Sequence, residues 1–269
     1  MAHTASDFVV GELEARFGVL SKVAAKCDEH GDYIAIITKR SETPSGCPVC
    51  AESAQKIRDE EQAEELRKQM ARDRLERRLG AAMIPPRFAG KSFDDYRATG
   101  KQAKVLDVCR EYAENFRDHY NAGRCLLLVG NVGTGKTHLA SAIAEHIIRE
   151  HGAMAVYRTL HSLMQYVKGS FDNHSEYTEA QAYEALVSPQ LLIIDEIGST
   201  KQTEFEQATL FNVINGRYEQ QVPTLVISNL MPTELEKALG DRVMDRLREN
   251  GGLCLVFSWA SARKAPSHD

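Results

Sequence analysis

A short apolar run, a glycine-rich loop and an amphipathic helix follow one another between Cys125 and His151, and this succession constrains the fold more than any other stretch. Cys125-Leu126-Leu127-Leu128-Val129 reads as a buried strand. Gly130-Asn131-Val132-Gly133-Thr134-Gly135-Lys136-Thr137 fits G-x-x-x-x-G-K-[ST] without a mismatch. From His138 to His151 the apolar residues Leu139, Ile143, Ala144, Ile147 and Ile148 recur at helical spacing. A glycine loop between a strand and a helix start is an anion cradle. The glycines let backbone N–H groups converge, and the helix N-terminus adds partial positive charge. Lys136 can reach a β- or γ-phosphate, and Thr137 can offer its hydroxyl to Mg²⁺.

Around this unit apolar strands alternate with helical segments. Strands are expected at 125–130, 154–159, 191–195, 224–229 and 253–258. Five apolar strands separated by helices imply an α/β fold with a mostly parallel sheet covered on both faces. Ligands of such sheets sit at the carboxyl ends of the strands. There the run Leu191-Leu192-Ile193-Ile194 emerges into Asp195 and Glu196. Asp195 is placed to hold the Mg²⁺ shell, and Glu196 to orient or deprotonate an attacking water. Val226-Ile227-Ser228 ends at Asn229, which can position that water or sense the γ-phosphate. Farther on, Gly240-Asp241-Arg242-Val243-Met244-Asp245-Arg246-Leu247-Arg248 puts Arg242 and Arg246 on one helix face. They suit either a surface face paired with Asp241 and Asp245, or a finger reaching a neighbour's γ-phosphate, and the residues alone leave both readings open.

The first third of the chain is built differently. Residues 4–26 read as a helix, weakened by Gly11 and Gly18, and Tyr33 to Thr38 as a β-like run. Cys27, His30, Cys47 and Cys50 follow the spacing C-x₂-H-x₁₆-C-x₂-C. Two close ligand pairs separated by a β segment make a small structural zinc knuckle, with no coordination position left for water. Chance pairs in a reduced protein are the alternative; the scarcity of core residues in this region favours the metal. Residues 51–80 carry eight basic and eight acidic side chains and a thin apolar stripe, a solvated spacer or a partner-docking helix. Gly80 and Pro85-Pro86 end it. This divides the chain into an N-terminal region (1–80), a linker (81–100) and a nucleotide-binding domain (101–269).

Bulk properties exclude some classes. The net charge of −5 provides no global field for nucleic acid, so any such contact must be local. No apolar run is long enough to span a membrane, and the start of the chain lacks a signal pattern, so a cytoplasmic protein is expected.

Taken together, Gly130 to Leu139, Ile193 to Gly198 and Gly240 to Arg248 resemble the AAA+ ATPases of the bacterial and phage DnaC-type helicase loaders. The similarity runs from about Ile84 to Trp259, and the cysteine–histidine pattern resembles the zinc-binding region of phage-type loaders. The resemblance implies an ATPase of slow, DNA-stimulated turnover that places a DnaB-type hexameric helicase on single-stranded DNA. It implies ATP and Mg²⁺ at Gly130–Thr137 and His138, Asp195 and Glu196 as the acidic pair, and Asn229 as first sensor. Arg246 becomes the finger, with Arg242 as fallback, and Arg263 the second sensor. The helical lid of most AAA+ proteins is expected to be absent, so a neighbouring subunit would help close the site. Tyr157 to Asn173 would contain an extra helix, in a region that faces a central channel in the family. Lys168, Ser170 and Phe171 could meet a DNA strand there, or the helix is an ordinary surface one with Leu160, Leu163 and Val167 packed inward. An IstB-type transposition helper shares the core, and a nucleotide-gated adaptor with negligible turnover is a further rival. Glu196 argues for hydrolysis, and the knuckle and Val243-Met244-Asp245-Arg246 argue for the loader. An initiator of the DnaA type would need a lid and a DNA-binding domain after Trp259.

Overall fold

A computed structural model describes residues 10–41, 43–199 and 202–262. The chain divides into two compact units between Arg72 and Asp73.

The first unit opens with a short helix, α1 (Glu12–Arg16), and an antiparallel hairpin of β1 (Val19–Cys27) and β2 (Gly31–Thr38). The helix expected over 4–26 therefore holds only at α1; residues 1–9 lie outside the described residues. Gly18 at φ +82° ends α1, and antiparallel pairing with β2 draws Val19–Cys27 into a strand. Strand pairing across the hairpin outweighs the helical spacing of Leu20 and Val23, because β preference is set by the partner strand. A long helix, α2 (Pro48–Ala81), follows, within which the division between Arg72 and Asp73 falls; it has no buried residue. A Lys68–Glu64 ion pair at 2.6 Å lies along its exposed surface.

The second unit is a five-stranded sheet of β3 (Leu126–Gly130), β4 (Ala155–Thr159), β5 (Leu191–Ile197), β6 (Thr224–Ser228) and β7 (Leu253–Phe257). The order is β4-β5-β6-β3-β7, and every pairing is parallel. Alternate residues feed opposite faces. Leu126 and Leu128 of β3, with Leu191 and Ile193 of β5, enter one core with α3 (Lys101–Glu114), α4 (Phe116–Asn121) and α5 (Lys136–Glu150). Leu127, Val129, Leu192 and Ile194 enter the other. That core is closed by α6 (Leu160–Gly169), α7 (Glu179–Val187), α8 (Glu204–Glu219), α9 (Pro232–Leu239) and α10 (Asp241–Arg248). The central strands β3, β5 and β6 are buried on both sides and so must be apolar, which explains their continuous runs; the edge strands β4 and β7 are partly exposed. Ala82 and Phe93, from the stretch before α3, are buried in the first core. Among the described residues no helix follows β7, and none is long and apolar enough to cross a membrane.

Arg217, on α8, is fully buried. Its guanidinium donates to the carbonyls of Leu186, Val187, Pro189 and Pro223 and to the Thr224 hydroxyl. Burial pushes its pKa down to about 10. One side chain thus gathers the end of α7 and the entries to β5 and β6, the strands whose far ends carry Asp195 and Asn229. Arg217→Leu strands these acceptors in the core, and a loss of about 3–5 kcal/mol is expected. Thermal denaturation should show a midpoint about 10 °C lower.

Candidate functional site

The sheet brings the loop after β3, the acids ending β5 and the tip of β6 to one cleft of about 670 Å³. It is lined by Val132–His138, Asp195, Glu196, Ile227 and Asn229, with walls from Arg87, Phe88, Tyr96, Arg97, Gln102, Trp259 and Ala262. The expected loop, acid and first-sensor residues thus share one cavity, except that Gly130 and Asn131 are not among its lining residues.

Gly130 has φ +112°, and a Cβ there would come within 2.6 Å of the Phe257 carbonyl oxygen. Only glycine lets the loop leave β3 this close to β7. Gly135 (φ +96°) immediately precedes α5, and a Cβ there would run into the Tyr96 ring. Lys136 is buried, with Nζ donating to the carbonyls of Gly130 (2.8 Å) and Asn131 (2.6 Å). The ammonium is thereby curled into its own loop.

Asp195 is buried and accepts three hydrogen bonds. Oδ2 takes the Thr137 hydroxyl (2.9 Å) and the Tyr157 hydroxyl (2.6 Å), and Oδ1 takes the Glu196 N–H (2.6 Å). The β5–β6 register slips between Ile194 and Ile197, and Glu196 lies at φ +65°. This bulge separates the two acids: Asp195 turns into the protein toward Thr137, while Glu196 is exposed on the cleft wall. A hydroxyl and a carboxylate in contact at the mouth of a phosphate cradle are an oxygen donor set that suits Mg²⁺. Burial, then the charge of Asp195, push the Tyr157 phenol well above its usual range, so it remains a donor.

Several cleft residues carry no motif. The Tyr96 hydroxyl (2.8 Å) and Trp259 Nε1 (3.2 Å) both donate to the Thr134 carbonyl, and burial pushes the Tyr96 phenol up to about 12. Asn131 Nδ2 donates to the Trp259 carbonyl, and the Ala262 N–H to that of Gly133. His138 lies edge-on to Tyr96, its Nε2 3.0 Å from the Ser92 carbonyl oxygen. Phe88, Tyr96 and Arg97 come from a Pro- and Gly-punctuated stretch without periodicity. The aromatic residues of that stretch were its one available signal.

Other expected residues lie elsewhere. Arg246 is half-buried, with its guanidinium 4.6 Å from the Phe211 ring centroid and 5.6 Å from that of Tyr218, both on α8. Arg242 is exposed, and neither arginine lines the cleft. Arg263 lies outside the described residues. On α6, Leu160, Leu163, Met164 and Val167 point inward. Lys168 lies 5.1 Å from the Phe205 ring, Phe171 packs edge-on to the same ring while half exposed, and Ser170 donates to the Val167 carbonyl. Phe205 completes this cationic–aromatic cluster from α8.

In the first unit Cys27 ends β1, His30 lies in the hairpin turn, Cys47 precedes α2 and Cys50 sits in its first turn. One potential ligand atom from each falls within 4.8 Å of all the others. Sγ of Cys27 and Cys50 are 3.5 Å apart, and His30 Nδ1 is 3.7, 3.9 and 3.2 Å from Cys27, Cys47 and Cys50. A zinc tetrahedron with Zn–S bonds of about 2.3 Å has edges of about 3.8 Å, so these separations fit the ion. Contact with His30 holds Cys27 down to about 6, and Cys27 in turn pushes Cys50 up to about 12. Metal binding there would release the shared protons.

Residues 52–248 match the family model described as IstB-like ATP binding protein. The replicative helicase loader DnaC of Buchnera aphidicola subsp. Acyrthosiphon pisum is 35% identical over 192 residues, covering 71% of this chain and 76% of the relative. That of Escherichia coli K12 is 31% identical over 191 residues, with the same coverage. Among solved structures, a DnaC helicase loader superposes with a TM-score of 0.57 at 24% identity, over 64% of this chain and 99% of that one. An AMPPCP-bound DnaA from Aquifex aeolicus gives 0.53 at 21%, over 65% and 51%. At these identities the superpositions speak to the fold alone. The sequence relatives go further: the chain is a DnaC-type member of the IstB-like ATP-binding family, built on the AAA+ fold.

Proposed function

We propose that the protein is an ATP-dependent loader of a DnaB-type hexameric replicative helicase onto single-stranded DNA, with ATP binding and hydrolysis as the switch. The observation that carries this reading is identity of up to 35%, over 76% of their length, with relatives named as replicative helicase loaders. The cleft supports it. Lys136 would exchange the Gly130 and Asn131 carbonyls for β- and γ-phosphate oxygens, with backbone N–H groups of the loop completing the cradle. Thr137 and Asp195 would hold Mg²⁺, which when bound neutralises charge on those phosphates. Glu196, exposed at the bulge, would orient the attacking water and take its proton, with Asn229 beside it. Zinc at Cys27, His30, Cys47 and Cys50 would hold residues 1–80 as the partner-binding region, ahead of an ATPase domain at 101–269 whose cleft borrows a wall from 81–100. Lys168, Phe171 and Phe205 offer a phosphate partner and stacking surfaces to a DNA strand.

Arg246 and Arg242 lie outside the cleft of their own subunit, as a finger serving a neighbour requires, and Arg263 would act as second sensor. Arg246→Ala should leave ATP binding intact and lower DNA-stimulated hydrolysis about a thousandfold. Unchanged turnover in a phosphate-release assay would move the role to Arg242, which is already exposed.

The test of the whole reading is capture of the host's DnaB-type helicase by the full chain and by a chain lacking residues 1–72. Capture that needs residues 1–72 supports the loader. Failure with and without ATP would favour the transposition helper, and a transposase would be the next bait.

A further inference from the structure

Tyr157 belongs to none of the nucleotide-binding motifs and does not line the cleft. It sits in β4, an edge strand, where a buried tyrosine reads as ordinary core. Both of its ends are nevertheless committed. Its hydroxyl donates to Asp195 Oδ2 at 2.6 Å, the same oxygen that receives the Thr137 hydroxyl at 2.9 Å. Its backbone N–H donates at 2.8 Å to the carbonyl of Ala82, itself fully buried. The edge of β4 is thus closed at this residue, and the ring has a fixed root from which to reach the carboxylate.

We propose that Tyr157 is a positioning residue for the divalent cation that accompanies the nucleotide. It holds the Asp195 carboxylate in the one orientation that keeps Thr137 engaged and a lone pair turned to the cation. The inference rests on the reading of Asp195 and Thr137 as the magnesium residues. Its physical basis is the number of donors around one carboxylate. The Glu196 N–H fixes Oδ1. Without Tyr157, Oδ2 would keep only the Thr137 hydroxyl, a group that must itself serve the cation. A carboxylate held on one side only can rotate, and the cation then meets a ligand set that must be ordered on binding. Loss of such an outer partner typically weakens metal affinity about 10–100-fold.

The experiment is equilibrium binding of labelled ATP to the full-length chain, in Mg²⁺ and in EDTA, with Mn²⁺ binding to the ATP complex followed by electron paramagnetic resonance. The wild-type chain should bind ATP more tightly in Mg²⁺. Tyr157→Phe, which keeps the ring, should match wild type in EDTA, lose about tenfold of the Mg²⁺-dependent gain and bind Mn²⁺ correspondingly more weakly. Added to Asp195→Asn, Tyr157→Phe should cost nothing further. A full Mg²⁺ gain in Tyr157→Phe would overturn the proposal. So would an equal loss in EDTA and Mg²⁺, which marks a merely structural residue, or additive losses in the double variant. No Mg²⁺ gain in the wild-type chain would instead overturn the assignment of Asp195 and Thr137, and so is distinguishable.

Discussion

Replacing Lys136 with alanine should abolish measurable ATP binding, a loss of at least about 3 kcal/mol, or over a hundredfold in affinity. Two effects act together. The cation that would meet the β- and γ-phosphates disappears, leaving a polyphosphate anion in a cradle of N–H dipoles alone. The loop also loses internal bonds that give it shape: Nζ now joins the carbonyls of two successive residues, Gly130 and Asn131, where the loop leaves β3. Because Lys136 is buried, water does not replace those bonds freely. Equilibrium dialysis with labelled ATP measures the outcome. Retained tight binding would place the nucleotide elsewhere. The core should survive, since Leu139, Ile143 and Ile147 of α5 pack independently of the loop. A melting temperature that falls by no more than a few degrees therefore separates a binding defect from a folding one.

The residues that were legible and those that were not differ in where their constraints come from. The central strands β3, β5 and β6 were readable because each is buried on two faces, which forces a continuous apolar run whatever its neighbours are, whereas the edge strands β4 and β7 are only partly buried. Gly130–Thr137 was readable because phosphate chemistry and close approach to β7 both demand glycine at Gly130, within eight consecutive residues. Asp195 and Glu196 were readable as acids leaving such a strand, but the bulge that parts them was not, since it is a property of β5 against β6. Tyr157, Trp259 and Arg217 were not readable at all, and Tyr96 only as one aromatic residue of an irregular stretch. Each acts on a partner distant in sequence: Tyr157 on Asp195, and Tyr96 and Trp259 on one carbonyl from opposite sides of the loop in sequence. Val19–Cys27 fails for the same reason in secondary structure: its residues tolerate a helix, and only pairing with Gly31–Thr38 makes them a strand. Arg246 is an intermediate case. Its helix and spacing were visible, but the aromatic rings of Phe211 and Tyr218 that hold its guanidinium belong to α8 and left no local trace.

Joint substitution of Cys47→Ser and Cys50→Ser should release one zinc ion per chain and unfold the β1–β2 hairpin while leaving the nucleotide cleft in place. Ala35 and Cys47 are the buried apolar residues in the first unit among those described. Leu13, Phe17, Leu20, Ile34 and Ile36 are exposed. A two-stranded hairpin with so little core is marginal in water, and the ligand cluster is what remains to hold it. A structural zinc ion supplies about 10–16 kcal/mol to such a module, more than hairpin hydrogen bonds and a few partly buried side chains could replace. Elemental mass spectrometry should find one zinc in the wild-type chain and none in the double variant. Limited proteolysis should then cut the variant between residues 18 and 47. Its ATP affinity should match wild type, because the residues lining the cleft come from the second unit. Metal-free wild-type protein with an intact, protease-resistant hairpin would refute the zinc assignment. If the loader reading is right, the same variant should also lose capture of the helicase while still binding ATP, placing the partner surface on the zinc-held unit rather than on the ATPase core.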